Sequence, residues 1–203
     1  MEQAMERTRM KLGRRRHLVF SCAAGIAFVS MGCAAGKAPA PPPACEQDCQ
    51  DNIALRGLRE TMRFLYNQHL QGKPVGMQDA MGPCPLGVGT IHIFGNAESD
   101  ATLGITTIDS LTYDFQNCVT RSVNATPERN YMLALTGSVI EKGLLVMSTG
   151  TSALTFESSA MTWAGTVYHP AVDYNQSDCE LKAHQDGNNV SGTICGRPAG
   201  FTF

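Results

Sequence analysis

The residues best placed to do chemistry in this 203-residue chain are its cysteines, of which there are eight. Six lie downstream of residue 44 and are candidates for disulfide bonds: Cys45, Cys49, Cys84, Cys118, Cys179 and Cys195. Six cysteines allow fifteen pairings. Cys45 and Cys49 are one helical turn apart, where a mutual bridge would strain a helix, so we expect each to join the helix to a different part of the sheet.

A second pair, Cys179 and Cys195, flanks a predicted turn at Asp186 and could close that hairpin. A register that pairs Leu181 with Ile194 would place the two cysteines on opposite faces of the sheet. A longer turn or a bulge would bring them back to one face. Among the open pairings we therefore favour this bridge.

The sequence predicts no metal and no cofactor. It contains neither Cys-x-x-Cys nor His-x-x-x-His, the spacings typical of zinc sites. Asp173-x-Asn175-x-Ser177 opens like a calcium-binding loop, but Asp178 and His184 stand where that loop requires Gly and Glu. Disulfide bonds are the better interpretation of the cysteines.

No catalytic motif accompanies the histidines, which beyond His17 stand at His69, His92, His169 and His184. We find no Gly-x-Ser-x-Gly elbow, phosphate-binding loop or His-Glu-x-x-His motif. The carboxylates of Asp109, Asp114 and Glu157 fall on the polar sides of predicted strands, where they are solvated. We therefore predict no catalytic residues. A hydrolase-type enzyme with a site assembled around His92, His169 or His184 is the alternative.

The composition indicates one globular domain, with 43% hydrophobic and 17% charged residues. The net charge of −2 hides an asymmetry, because residues 1–32 carry six basic and two acidic side chains. Residues 33–203 therefore carry a net charge of −6. An acidic domain of this kind is not expected to bind nucleic acid.

The N-terminal segment has the pattern of a secretory signal peptide. Residues 1–17 are rich in arginine, and the uncharged apolar run Leu18–Met31 follows. Within this pattern, Gly32-Cys33 resembles the lipobox of bacterial lipoproteins, although Ser30 and Met31 depart from the residues that this family prefers. The resemblance implies that residues 1–32 are removed and that Cys33 is lipidated. Ala34 after Cys33 implies the outer membrane rather than the inner one.

Two alternatives for this segment stay open. Cys33-Ala34-Ala35 also offers the small residues of ordinary signal-peptidase cleavage, which would give a secreted or periplasmic protein. The apolar run extended to Ala35 approaches the length of an uncleaved membrane anchor. Arg15-Arg16 also resembles a twin-arginine export signal, so the export route stays open.

Residues 33–44 read as a tether, because Lys37 to Ala44 is rich in alanine and proline and favours an extended conformation. We expect a single disulfide-stapled domain over residues 45–203. It begins with an amphipathic helix from Cys45 to about Leu70, whose apolar stripe is Leu55, Leu58, Met62, Leu65 and His69. The polar remainder comprises Arg56, Arg59, Glu60, Arg63 and Asn67, and Gly72 and Pro74 end the helix.

The rest of the domain reads as about eight or nine antiparallel strands in a curved meander or partial barrel. Apolar and polar residues alternate at 111–115, 131–135 and 161–164. Turn-forming residues interrupt the strands at Asn96, Asn124 to Pro127, Gly143, Gly150, Pro170 and Asp186 to Asn189. The triplet Gly-Ser/Thr-Val/Ile recurs at Gly89, Gly137, Gly165 and Gly192, where we expect bends in the sheet.

These observations favour a lipid-anchored protein of the bacterial cell envelope that binds or scaffolds something and is not an enzyme. Its expected partners are the membrane, through the lipid, and an apolar ligand or another envelope protein. A carrier of lipids or other apolar ligands is an alternative within this class, because a helix over a curved sheet is an architecture that such envelope carriers use. It predicts an apolar cavity between helix and sheet.

Overall fold

The structure, a computed structural model, describes residues 43–72, 76–122, 124, 126–146 and 150–203. The signal peptide, Cys33, the first part of the tether and Pro74 lie outside these residues. The predictions made for them therefore stay predictions. Within the described residues, no helix has the length and apolar character needed to cross a membrane.

The described residues form one helix and one eight-stranded sheet. Helix α1 spans Gln47–His69, and the strands are β1 Gly76–Pro83, β2 Thr90–Asp100, β3 Ile105–Ser122, β4 Tyr131–Val146, β5 Ala153–Val167, β6 Val172–Asp186, β7 Asn189–Ile194 and β8 Arg197–Thr202. All neighbouring strands are antiparallel and follow each other in sequence order. The predicted mainly β fold with a single N-terminal helix is confirmed.

Helix α1 forms and packs as its apolar stripe predicts. The stripe side chains Leu55, Leu58, Met62 and Leu65 are at most 1% exposed and belong to one core with the inner faces of the strands. The helix ends where the Leu70 N–H donates to the Tyr66 carbonyl at 2.8 Å, and Gly72 follows with a positive φ of 75°. The stripe is therefore the surface that fixes the helix to the sheet.

The sheet curls around the helix. Eight strands at about 4.8 Å spacing would make a flat sheet roughly 34 Å wide, whereas Arg56 and His69 lie only about 20 Å apart along the axis of α1. Nevertheless α1 contacts both edge strands: the His69 ring packs against Gly82 of β1, and Arg56 bonds to Thr202 of β8. Only a curved sheet brings both edges within reach of one helix.

Six glycines of the described residues allow close approach of neighbouring strands, and four of them are those of the repeated triplet. At Gly89, Gly137, Gly165 and Gly192 an added Cβ would collide with a backbone oxygen of a neighbouring strand. Register shifts that mark bulges interrupt most strand pairs, including β4–β5 between Thr136 and Ile140, next to Gly137. The interruptions expected at Asn96 and Gly143 do not end strands; both residues lie inside β2 and β4.

The two edges of the sheet differ. Helix side chains cover the β8 edge, where the Gly200 N–H donates to Asn52 Oδ1 at 2.6 Å and Arg56 Nη2 donates to the Thr202 carbonyl at 2.9 Å. At the other end of the sheet, β1 pairs only with β2 among the described residues. One edge is thus satisfied by α1, whereas no strand of the described residues pairs with the other.

The expectation that Cys45 and Cys49 join different parts of the sheet is wrong, because they are bonded to each other. The helix begins only at Gln47, and Glu46 before it is extended, so Cys45 stands outside the helical backbone. The predicted strain therefore does not arise, and the two Cα atoms lie 5.3 Å apart, within the usual range. The bridge closes the start of the helix on itself.

The other two disulfides connect strands. Cys84, directly after β1, is bonded to Cys118 of β3, and both are buried. Cys179 and Cys195 close the β6–β7 hairpin. Leu181 does pair with Ile194, the register that would separate the two cysteines, but Cys195 has a φ of 51°. This left-handed residue breaks the alternation at the end of β7 and turns its side chain towards Cys179.

Candidate functional site

The histidines that could have formed an enzyme site lie apart and on the outer surface. His92 of β2 has Asp79 Oδ1 at 2.7 Å from its Nε2, and its ring lies 4.7 Å from that of Phe94. The side chain of Asp79 is 81% exposed. His92 and Asp79 therefore form a pair at the surface, where water reaches both side chains.

His184 and His169 are far from His92 along the sheet. His184 of β6 has its Nε2 3.1 Å from Ser191 Oγ on β7, and both are exposed. His169 stands exposed in the turn between β5 and β6, before the cis peptide bond to Pro170. The structure therefore gives two separate two-residue contacts and does not bring the three histidines together.

Among the described residues, no group of three or more His, Cys, Asp or Glu side chains could hold a metal ion. Asp109, Asp114 and Glu157 lie on outer sides of their strands, as predicted. Asp109 accepts a hydrogen bond from Asn96 at 2.6 Å, and Asp114 accepts one from Ser138 at 2.8 Å.

The space between helix and sheet is filled by side chains. Leu65 of the helix, and Ile93, Leu133 and Leu135 of the sheet, have no accessible surface. Side chains without accessible surface cannot line a cavity that admits water, let alone a lipid chain. The expected apolar cavity is therefore absent at these residues.

The same interface contains an unexpected polar cluster around Arg59 of α1. Its side chain is 5% exposed, its Nε donates to Gln185 Oε1 at 2.7 Å, and its Nη1 lies 3.5 Å from Glu141 Oε1. Its Cζ also lies 4.8 Å from the centre of the Phe156 ring. The guanidinium is thus held by an acid, an amide and an aromatic ring from three different strands.

Tyr113 of β3 lies next to this cluster. Burial, followed by the nearby carboxylate of Glu141, raises the pKa of Tyr113 well above its usual range. Its hydroxyl is fully buried and forms no hydrogen bond of good geometry with the described residues. The phenol therefore stays protonated in the folded protein.

A second ion pair, between the buried Asp51 and the partly exposed Arg197, fixes the start of the helix. Asp51, with no accessible surface, accepts hydrogen bonds from Arg197 at 2.7 and 3.0 Å and from the Tyr174 hydroxyl at 2.7 Å. The bond to Asp51 raises the pKa of Arg197, and burial followed by this same carboxylate raises that of Tyr174. Every oxygen of Asp51 is used, so we interpret this cluster as structural.

A polar cavity of about 290 Å³ opens beside the Arg59 cluster. Its wall includes two arginines of α1, one hydroxyl, two amides and one aromatic ring: Arg59, Arg63, Ser152, Gln185, Asn188 and Phe203. No aspartate or glutamate is among the described residues of this wall. The buried guanidinium of Arg59 therefore borders a cavity that opens to solvent.

The outer face of the open edge is the second candidate surface. We call it the open face, defined by Met77, Asp79, Met81, His92 and Phe94 of β1 and β2. Met77 and Met81 are 82% and 69% exposed, and Phe94 lies opposite Asp79 across the two strands. Apolar side chains and a carboxylate thus stand beside an edge that no described strand covers.

Sequence reasoning missed the polar cluster because it placed Arg59 on the solvent side of the helix. The signal lies in the strands: Glu141 continues the period-two pattern of the buried Val139, and Gln185 continues that of Leu181 and Ala183. A charged and an amide residue in phase with buried strand positions require a buried partner. The arginines of the helix, Arg56, Arg59 and Arg63, were the candidates to supply that cation.

Comparison with known proteins adds no relative to these observations: no family model, curated protein or solved structure matches the chain.

Proposed function

We propose that this protein is a non-enzymatic binding or scaffolding module that a lipid on Cys33 holds at a membrane of the bacterial cell envelope, preferentially the outer one. The arginine-rich start, the apolar run to Met31 and the Gly32-Cys33 pair support the anchor. The Ala/Pro-rich residues up to Ala44 would hold the folded domain away from the membrane surface. The three disulfides agree with an oxidising compartment.

The single observation that carries the binding role is the difference between the two sheet edges. Helix side chains satisfy β8, whereas β1 is open, and exposed Met77 and Met81 stand on the open face beside it. Proteins commonly protect such edges, because an uncovered strand pairs readily with another extended chain. We infer that an extended segment of an envelope protein adds to the sheet along β1.

The chemistry of the open face indicates what that segment carries. Asp79 lies between the two methionines and is largely exposed, and residues 33–203 have a net charge of −6. A strand with a lysine or arginine opposite Asp79 and apolar side chains on either side complements both the charge and the apolar surface. The partner segment is therefore basic and amphipathic.

The anchor is tested by labelling growing cells with a clickable fatty acid. Cys33→Ala should abolish the label and release the protein from the membrane fraction. Cys22→Ala is the matched control, because Cys22 lies in the apolar run and should leave the label unchanged. Retention of the Cys33→Ala protein at the membrane, with an unchanged mass, would contradict lipidation at this residue.

The partner is tested by placing a photo-crosslinking amino acid at Met77 in intact cells. We expect one adduct, mapped to a basic, extended segment of an envelope protein, which disappears when Met81→Lys is added. Met132 of β4, exposed on the outer surface, receives the same crosslinker and the same lysine change as a control. Identical adducts from Met77 and Met132, or no adduct from Met77, would contradict binding at the open face.

A further inference from the structure

The cavity beside Arg59 differs from the rest of this acidic domain in its charge. Two arginines, Arg59 and Arg63, contribute to its wall, and no aspartate or glutamate side chain does so among the described residues. They are four residues apart on α1 and therefore lie on the same side of the helix, so that both can contribute to one site.

Arg59 is built into the wall in a fixed position. Gln185 accepts from Nε, Glu141 lies near Nη1, and the Phe156 ring packs against the guanidinium plane. Nη2 has no hydrogen-bond acceptor among the described residues, so donors remain for a ligand. Because the side chain is already immobilised, binding would cost little conformational entropy.

Arg63 supplies the second charge at the mouth of the cavity. Its contact within the described residues is with the ring of Phe203, 5.8 Å from the Arg63 Cζ, and no carboxylate lies within ion-pair distance. The side-chain amide of Asn188 stands in the same wall as a further donor. The wall thus combines one buried guanidinium, one exposed guanidinium and an amide.

We propose that this cavity binds a small oxyanion, a carboxylate or a phosphate, between Arg59 and Arg63. Guanidinium groups recognise both oxyanions through paired N–H donors, which is the chemistry that this wall offers. A volume of about 290 Å³ limits the ligand to a small molecule. The site is independent of the lipid anchor and of the open face, so it holds whether or not the proposed function is correct.

The test is a calorimetric titration of the full chain in non-ionic detergent with succinate and, separately, with inorganic phosphate, at constant ionic strength. Binding of succinate alone identifies a carboxylate site, and binding of phosphate alone a phosphate site. Arg63→Gln should weaken binding by about tenfold or more. Arg121→Gln, at an exposed arginine of β3, is the matched control and should change the affinity little.

A second variant separates binding geometry from folding. Arg59→Lys retains the charge but loses the planar fork, and we expect it to weaken binding while the far-ultraviolet circular dichroism stays unchanged. The proposal is overturned if neither succinate nor phosphate binds at concentrations up to about 10 mM. At that concentration even a weak ligand would occupy the site and stabilise the folded state. Equal losses of affinity in Arg63→Gln and Arg121→Gln would also overturn it, because they would reveal nonspecific attraction.

Discussion

Arg59 contributes both to the packing of the helix on the sheet and to the proposed anion site. It lies 126 residues from Gln185 in the sequence, yet the two side chains form a buried hydrogen bond. The neighbouring Glu141 is as deeply buried, so each charge depends on the other. Removing one partner leaves an uncompensated charge in the core, whereas removing both need not.

We therefore expect Glu141→Gln to lower the free energy of unfolding by about 3 kcal/mol. The double change Arg59→Met with Glu141→Leu should recover stability to within about 1 kcal/mol of the original chain. Urea unfolding of the single variants Arg59→Met and Glu141→Leu and of the double variant measures the coupling. The exposed Lys182–Glu180 pair provides the control, since Glu180→Gln should change little. Additive losses in the double variant would contradict this interpretation.

At the scale of elements, curvature depends on places where two strands approach too closely for a side chain. Gly165 of β5 is the clearest of these, because its φ is 148° and an added Cβ would strike the Met132 carbonyl of β4. The repeated Gly-Ser/Thr-Val/Ile triplet therefore has a physical basis in strand packing. It recurs because several strands bend over the same helix.

Gly165→Ala should destabilise the protein by about 3 kcal/mol through a strained φ and overpacking. Gly196→Ala isolates the first effect, because Gly196 also has a positive φ, 75°, but has nothing within 4 Å of an added Cβ. We expect this control to cost about 1 kcal/mol. Thermal unfolding followed by circular dichroism compares the two, and equal losses would show that strand packing is not the cause.

On the scale of the whole molecule, three tyrosines connect the fold to alkaline pH. Burial raises the pKa of Tyr113, Tyr131 and Tyr174, and the neighbouring carboxylates Glu141, Glu60 and Asp51 add to this effect. In the unfolded chain these phenols ionise near pH 10. Above that pH the folded state therefore holds more protons than the unfolded state, and stability falls as the pH rises.

We expect the contribution of these tyrosines to the free energy of unfolding to be constant below about pH 9 and to decline above about pH 10. Each tyrosine contributes about 1.4 kcal/mol per pH unit to the decline. Tyr131→Phe should remove one tyrosine's contribution from the dependence of the unfolding free energy on pH. Urea unfolding at closely spaced pH values measures this dependence. A stability that stays level up to pH 11.5, roughly one and a half units above the unfolded pKa, would contradict the prediction.

The fold class was accessible from the sequence because its signals are local. The stripe from Leu55 to Leu65 repeats at helical spacing, and alternation marks segments within β3, β4 and β5. The prediction that Cys45 and Cys49 do not pair was wrong because the first helical residue was placed two positions too early. Boundaries depend on capping and tertiary contacts that a periodic pattern does not contain.

The candidate sites were less accessible, because they are made by contacts between distant residues. A polar residue on a helix is read as solvent-facing until a strand places a carboxylate opposite it, as Glu141 does for Arg59. Likewise, every strand has the same local pattern, whether it becomes an edge or a centre. The open face therefore could not be distinguished from the other outer faces by composition.

By itself, the sequence determined the helix, the antiparallel strands and the expectation of an exported, lipidated chain, since each depends on residues close together in the chain. Only the tertiary structure decided which cysteines pair, which sheet edge α1 covers and where two arginines line one cavity. The physical reason is that periodicity specifies which face of an element is buried. What lies against that face is decided by the curvature of the sheet and by contacts more than a hundred residues apart.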